Sequence, residues 1–421
     1  VRTYVLLMLV AAAVTYLATP GARWLAVRTN AISAVRSRDV HLQPTPRLGG
    51  LAMLLGMVVA VLLASQLEFL DDVFLDRQVW GIVGGAAIVC LLGWLDDVWD
   101  LDWMTKLAGQ VLAAGFMAVQ QVQLTSLPTP EGLYINSARL SLAATILVVV
   151  VAMNAVNFVD GLDGLAAGMI AIGGAAFFLY TYGLTQQASP DDFSSLAALM
   201  AAVLVGACLG FLPHNFFPSH IFMGDSGSMV LGLVFAGAAI SVTGKIDPTV
   251  SDAALSGAQR APLFLPLLLP LAVVLLPLLD MAMAVVRRVA AGKSPFHADR
   301  MHLHHRMLAL GHSHRRAVLI LYVWTAVFAF GAAALVRWRW QVVLAWLVVA
   351  VVVALLLTLG PLRTRGRFLD DDVASGALPA VGPPAGQGAA ETAGPLLPAD
   401  EPPALPPHHA PARPTREGRA S

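Results

Sequence analysis

Apolar runs about as long as a bilayer is thick recur along most of the chain, and no other feature restricts its fold as strongly. A transmembrane helix takes about 20 apolar residues, with a range of roughly 17 to 25. Runs near that length stand at Val5 to Trp24, Leu48 to Leu67, Val79 to Leu95, Leu107 to Val122, Leu140 to Val156 and Leu165 to Leu184. Others follow at Leu196 to Leu212, Met229 to Thr243, Pro262 to Val286, Val318 to Val336 and Val342 to Leu359. They predict an all-α polytopic membrane protein with about eleven transmembrane helices. Composition agrees: 57% of the 421 residues are hydrophobic, 12% are charged and mean hydropathy is +0.73, which excludes an ordinary soluble domain. A formal net charge of zero offers nucleic acid no basic surface, so no nucleic-acid partner is expected. Cys90 and Cys208 fall inside apolar runs and read as small hydrophobes. The first run lacks a strong basic leader and reads as a retained span.

Basic residues favour the cytoplasmic side in short loops. They crowd the segment after the first run (Arg28, Arg36, Arg38, Arg47), the one after the ninth (Arg287, Arg288, Lys293, Arg300, Arg306, Arg315, Arg316) and the one past the last (Arg363, Arg365, Arg367). With about eleven helices, the N-terminus is expected outside and the C-terminus in the cytoplasm. Residues 1–368 form the expected membrane domain. From 369 to 421 the chain turns to Pro, Ala and Gly, which bury too little apolar surface to order, so a disordered cytoplasmic tail is expected. The intervening external loops read as solvated connections, with Gln123 to Ser137 a short hairpin.

The polar clusters that carry chemistry all fall in loops joining an odd span to the next even one, and therefore on the cytoplasmic face. They are Asp39 to Gly50 with His41 and Arg47, then Asp96-Asp97-Val98-Trp99-Asp100, then Asn154 to Gly168, then Phe222 to Ser228, and last Pro295 to Arg306. In Asn154-x-x-Asn157-x-x-Asp160-x-x-Asp163, amides and carboxylates follow at steps of three, so each neighbours the next on a helix face. Glycine turns at Gly49-Gly50, Gly164 and Gly224 open even-numbered helices, whose free N–H groups suit an anion such as phosphate. Five acids beside such turns would repel phosphate unless a cation lay between. Asp and Asn oxygens suit Mg²⁺ or Mn²⁺. Asp100 and Asp102 fit helix capping more readily than catalysis. The run His302-Leu303-His304-His305, flanked by Arg300 and Arg306, lacks the Glu of a His-Glu-x-x-His zinc protease and suits phosphate oxygens or proton transfer.

Together, Asp96-Asp97, Asn154-x-x-Asn157-Phe158-x-Asp160-Gly161-x-Asp163-Gly164, Phe222-Met223-Gly224-Asp225-Ser226-Gly227-Ser228 and His302-x-His304-His305 resemble the polyprenyl-phosphate N-acetylhexosamine-1-phosphate transferases. The His-x-His-His form resembles the WecA/TagO branch, which uses UDP-GlcNAc. The MraY branch, which uses UDP-MurNAc-pentapeptide, typically has three consecutive histidines there. The resemblance implies an Mg²⁺-dependent membrane enzyme of the bacterial cytoplasmic membrane, acting early in cell-envelope polysaccharide synthesis. It would transfer GlcNAc-1-phosphate from UDP-GlcNAc to undecaprenyl or decaprenyl phosphate and release UMP. It also implies roles. Asp225 and Asn157 would hold the metal, Asp96 or Asp97 would orient and deprotonate the lipid phosphate, and Asp160 and Asp163 would shape the nucleotide and metal pocket. Phe222 would stack on uracil; Arg300, His302, His304 and His305 would take phosphate or sugar oxygens; His41 and Arg47 would line the mouth, and Asn154 belongs to the substrate-binding set. A homodimer is an open assembly.

Two other readings remain at this point. MraY-like use of UDP-MurNAc-pentapeptide keeps the chemistry and changes the sugar. A cation-coupled transporter also needs intramembrane acids and helix-end anion sites, but would place paired polar breaks near mid-bilayer.

Overall fold

A computed structural model of the chain describes residues 1–33, 44–127, 133–135, 137–188, 194–243, 286, 289–290, 292, 312–335 and 338–374, with 360–374 as backbone alone. The chain divides into two compact units, Val1–Gly366 and Arg367–Ser421. Of the second, the described part is the helical backbone of 367–374.

The elements run α1 (Arg2–Arg28), β1 (Ile32–Ser33), β2 (Thr45–Pro46), α2 (Gly49–Ala64), α3 (Asp71–Leu75), α4 (Gln78–Trp99) and α5 (Trp103–Val119). They continue with β3 (Ser126–Leu127), β4 (Leu133–Tyr134), α6 (Ala138–Val159), α7 (Leu165–Ala188), α8 (Leu196–Asn215), α9 (Gly224–Thr243), α10 (His314–Ala334) and α11 (Trp340–Ala374). Among the described residues eight helices are long and apolar enough to cross a membrane, or nine if α2 is joined to Glu68–Leu75, from which it bends by 101°. The outward faces are apolar, with Leu17 74%, Leu112 69% and Trp346 64% exposed. Hydrocarbon solvates such faces and water does not. The protein is therefore a mostly helical, multi-pass membrane protein.

The expected runs map onto these helices with three exceptions. α2, over the second run, has 16 residues and qualifies as a span only when joined to Glu68–Leu75. α5, over the fourth run, has 17 residues, the lower end of the spanning range. The ninth run, Pro262 to Val286, lies almost wholly outside the described residues. The connection Glu68 to Gln78 is also more ordered than a solvated loop. It holds a 3-10 turn and α3, and it buries Leu70 and Val73. The short hairpin expected in Gln123 to Ser137 is present as β3 paired antiparallel with β4. Thr145 Oγ1 on α6 accepts Leu124 N at 2.9 Å, and Ser141 Oγ donates to Leu124 O at 2.8 Å, which ties the hairpin's approach to α6.

α9 is the centre of the bundle, with Gly224 and every residue from Ser226 to Thr243 buried. α2, α4, α6 and α8 surround it. Small residues, frequent in both α8 and α9, let these axes come close, which is how helices gain packing where lipid competes for every apolar contact. The two acids assigned to capping do cap. Asp100 ends α4 in the left-handed region at φ 52°. Asp102 Oδ2 accepts Met104 N at 3.0 Å and Thr105 N at 3.1 Å at the start of α5.

Candidate active site

The site forms where the C-terminal ends of α4 and α6 meet the N-terminal ends of α2, α7 and α9. Its tightest approach is made by backbones alone. A Cβ on Gly93 of α4 would strike the Ser226 backbone nitrogen, and one on Gly50 of α2 would strike that of Gly227. Without side chains there, α4 and α2 close on the first turn of α9. Asp97, one turn beyond Gly93, then reaches that turn. Its Oδ1 accepts Asp225 N at 3.3 Å and its Oδ2 accepts Ser226 N at 3.4 Å. A carboxylate at a helix N-terminus satisfies its unpaired donors and its dipole.

This corrects the expectation that the three glycine turns hold phosphate with their free N–H groups. In α9 the donors go to Asp97. In α2, Gly49 N donates to Phe222 O and Gly50 N to Met223 O, both at 3.0 Å. Ahead of α7, Gly164 N donates to Asn215 Oδ1 at 3.0 Å. These turn N–H groups are closed on the protein itself because each packs against an acceptor from a neighbouring segment. Phe222 N also donates to Pro46 O at 2.8 Å, and a single parallel bridge pairs Phe222 with Arg47, beside the β1–β2 ribbon.

The acids are joined by a cation that the sequence reading passed over. Lys106, in the first turn of α5, places Nζ 2.8 Å from Asp96 Oδ2 and 2.5 Å from Asp225 Oδ2. Asp96 Oδ1 accepts Leu101 N at 3.0 Å. The other Asp225 oxygen accepts Asn157 Nδ2 at 2.9 Å, and Asn157 also donates to Ser228 Oγ at 2.9 Å. One turn deeper, Asn154 Nδ2 donates to Gln110 Oε1 at 2.7 Å and to Val150 O at 2.8 Å. This amide pair fastens α5 to α6 directly beneath Lys106 and Asn157, which gives Asn154 a positioning contact in addition to any substrate contact. The signal for Lys106 was available: a charged residue entering a membrane helix is a functional hypothesis by default.

The donor set fits a hard divalent cation. The ammonium already marks a place where positive charge is drawn between two carboxylates. Among the described residues no three His, Cys, Asp or Glu side chains enclose a metal by themselves. A cation would therefore take one or two carboxylates, the Asn157 amide, water and substrate phosphate, which is the habit of Mg²⁺.

The loop between α6 and α7 forms the other wall. Asp160 follows the last residue of α6 and keeps part of its surface accessible, yet it sits among enough protein for desolvation to push its carboxyl up to about 8. The charges of Asp225, Asp97 and Asp163 add to that rise and the Arg47 guanidinium opposes it. Asp163 is 4% exposed and its Oδ2 accepts Ser219 N at 3.0 Å. Asn215, at the end of α8, accepts from Gly164 N through Oδ1 and donates from Nδ2 to Ile221 O at 3.0 Å. Tyr322 of α10 donates its hydroxyl to Gly164 O. Asp163 and Asn215 thus clamp this loop to the segment that leads into Asp225, and Tyr322 ties it to α10. The sequence reading missed Asn215 and Tyr322, whose partners lie 51 and 158 residues away.

Of the expected site residues, Asp96, Asp97, Asn157 and Asp225 come together directly. Asp160 and Arg47 join them through charge, Asn154 lies one turn below, Asp163 braces the loop and Phe222 bridges to Arg47 beside them. His41, Arg300, His302, His304 and His305 lie outside the described residues.

Residues 79–243 match the glycosyl transferase family 4. The chain is 44% identical over 373 residues to the decaprenyl-phosphate N-acetylglucosaminephosphotransferase of Mycolicibacterium smegmatis, covering 87% of this chain and 90% of that relative. It is 30% identical over 321 residues to a Bacillus subtilis protein named probable undecaprenyl-phosphate N-acetylglucosaminyl 1-phosphate transferase, covering 75% and 80%. Against the phospho-N-acetylmuramoyl-pentapeptide-transferase of Desulforudis audaxviator it is 33% identical over 224 residues, covering 48% and 64%. With the acid motifs of α4, α6 and α9 gathered at one end of the bundle and a 44% identical relative matched over 90% of its length, the chain belongs to glycosyl transferase family 4, among the polyprenyl-phosphate N-acetylhexosamine-1-phosphate transferases.

Proposed function

We propose that the protein transfers GlcNAc-1-phosphate from UDP-GlcNAc to a polyprenyl phosphate, decaprenyl or undecaprenyl, giving polyprenyl-diphosphate-GlcNAc and UMP. The observation that carries this reading is the meeting of Asp96, Asp97, Asn157 and Asp225, from three helices, with Lys106 between Asp96 and Asp225, at the end of a membrane bundle. The relatives that match over most of their length carry GlcNAc-phosphotransferase names, whereas those named for the muramoyl-pentapeptide cover about half of this chain.

An oxygen of the lipid phosphate attacks the β-phosphorus of UDP-GlcNAc. A new P–O–P bond forms to the lipid, the bond from the β-phosphorus to the bridging oxygen breaks, and UMP leaves with that oxygen. Asp96 or Asp97 orients the lipid phosphate and takes its proton, so that the attacking oxygen is fully charged. Asp225 and Asn157 are the residues placed to hold Mg²⁺, or Mn²⁺ in its stead. When bound, the ion neutralises diphosphate charge as UMP departs. Phe222 offers its ring to uracil, and Arg47, Arg300, His41, His302, His304 and His305 supply cationic and hydrogen-bonding groups to phosphate and sugar, while Asp160 and Asp163 shape the pocket. The basic loops support eleven spans, an external N-terminus and a cytoplasmic site, in the inner membrane of a bacterium.

The test is UMP release by the purified protein with Mg²⁺, polyprenyl phosphate and either UDP-GlcNAc or UDP-MurNAc-pentapeptide, with Asp225→Asn alongside. Release that needs lipid, UDP-GlcNAc and Asp225, stops on adding EDTA and returns with Mg²⁺ supports the proposal. A preference for the pentapeptide overturns the sugar, and no UMP from either, in folded protein, overturns the reaction.

A further inference from the structure

Three of the 26 basic side chains counted as Lys or Arg are lysines, namely Lys106, Lys245 and Lys293. One of the three stands inside the acid cluster. A guanidinium is planar and forked, whereas an ammonium is a compact point charge able to sit between two carboxylates much as a small metal ion does. Lys106 does so, 2.8 Å from Asp96 and 2.5 Å from Asp225. Its approach to Asp225 leaves that carboxylate both oxygens engaged, one by the ammonium and one by Asn157.

We propose that Lys106 is a built-in counter-ion that holds Asp96 and Asp225 together until a divalent cation takes its place at Asp225. The inference rests on the reading of the site given above and adds to it a competition between two cations for one carboxylate. Charge drives the exchange. A metal bound to Asp225 at an ordinary ligand distance of about 2.0–2.1 Å would share one carboxylate with an ammonium already 2.5 Å from its Oδ2. Two positive charges that close repel each other strongly, so metal binding pushes the ammonium back. It stays on α5, tethered by Asp96 and free to meet an incoming anion. Two costs are solved by one residue. With no metal present, carboxylates drawn to the end of a membrane bundle are neutralised and do not force the helices apart. With metal present, a cation is already at hand for the phosphate charge that arrives with the substrate. The positive charge also sets a limit on metal affinity, since it must be displaced for the metal to bind.

The experiment measures Mn²⁺ binding by electron paramagnetic resonance on the full-length protein without substrate, for wild type, Lys106→Gln and Lys106→Arg. Removing the competing charge is expected to lower the Mn²⁺ dissociation constant by roughly tenfold or more, given the strength of unit charges this close at a protein surface. Lys106→Arg keeps the charge and stays near wild type. UMP release falls in Lys106→Gln even though metal binds more tightly, a divergence that a merely structural lysine would not produce. An unchanged or weaker Mn²⁺ affinity in Lys106→Gln overturns the inference, as does equal tightening in Lys106→Arg. A second measurement needs no variant. Acylation of wild-type Lys106 by an amine reagent, read by mass spectrometry against Lys245, rises severalfold when Mn²⁺ uncovers the nitrogen; labelling that stays level or falls overturns the inference. An active wild type with an unmoved Lys106 sinks this inference alone, whereas a wild type that releases no UMP sinks the reading of the reaction.

Discussion

Asp97 accepts the backbone N–H of Asp225 at 3.3 Å, so one acid of the site caps the helix that presents another. The end of α4 and the start of α9 are thereby held as one piece, and the second oxygen of Asp97 extends the grip to Ser226. In Asp97→Asn the amide oxygen still accepts one of these donors while the negative charge is gone. Losing the negative charge at the helix N-terminus costs about 0.3–1 kcal/mol, offset in part by relief from the neighbouring Asp225. The variant is expected to melt within a few degrees of wild type, and its UMP release to fall on the order of 100-fold or more where Asp97, rather than Asp96, is the proton acceptor; a small loss assigns that role to Asp96. Melting and turnover on one preparation check this.

Gly93 is expected to tolerate no side chain. The Cβ of Gly93→Ala would lie 2.6 Å from the Asp225 carbonyl carbon and closer still to the Ser226 backbone. Backbone cannot rotate away, so α4 and α9 must separate, at about 1–3 kcal/mol for an overpacked contact. Activity should suffer more than stability, because the displacement falls on Asp97 and Asp225 themselves. Gly183→Ala on α7 is the control, since a Cβ there meets nothing within 4 Å. It should leave UMP release unchanged and the melting temperature equal or higher.

Asn215→Leu keeps the volume of the side chain and removes both of its hydrogen bonds. It leaves Gly164 N and Ile221 O unpaired in a buried place, at about 1–3 kcal/mol for each group. A drop in melting temperature is expected together with a higher KM for the sugar nucleotide, because two walls of the site lose their common tie. Asn215→Asp keeps the acceptor for Gly164 and should lose less. A leucine variant with wild-type stability and KM would show that Asn215 ties nothing.

Asp160 sets a pH dependence of stability. Its carboxyl is raised from 3.8 to about 8 in the folded protein. The folded state therefore binds the proton more tightly than the unfolded chain does, and stability falls as pH rises from about 4 to about 8. In metal-free buffer the wild-type melting temperature should drop between pH 6 and pH 8 by more than that of Asp160→Asn. A divalent cation at the site should shrink the difference, since it stabilises the charged form. Parallel pH curves for the two proteins would exclude this role for Asp160.

The lengths of the apolar runs were enough to place the chain in a membrane and to locate most of its helices, because hydrocarbon demands a continuous helix of bilayer length. The caps Asp100 and Asp102 were legible for a similar reason, since their partners are their own neighbours in the chain. The motif acids were legible too, as polar groups that a bilayer-spanning helix would not carry without use. The connection Glu68 to Gln78 was misread because the burial of Leu70 and Val73 depends on what packs over them.

By itself the sequence determined the class of the protein, the approximate course of most of its described helices and which polar residue types stand at their ends, all properties of local pattern and spacing. Tertiary structure alone decided whom those residues meet. The N–H groups of the glycine turns face Asp97, Asn215 and the Phe222–Met223 carbonyls, not open space, and a lysine from α5 fills the gap between Asp96 and Asp225. A hydrogen bond or ion pair is made or lost within about 1 Å, a distance that helix packing sets and the order of residues along the chain does not.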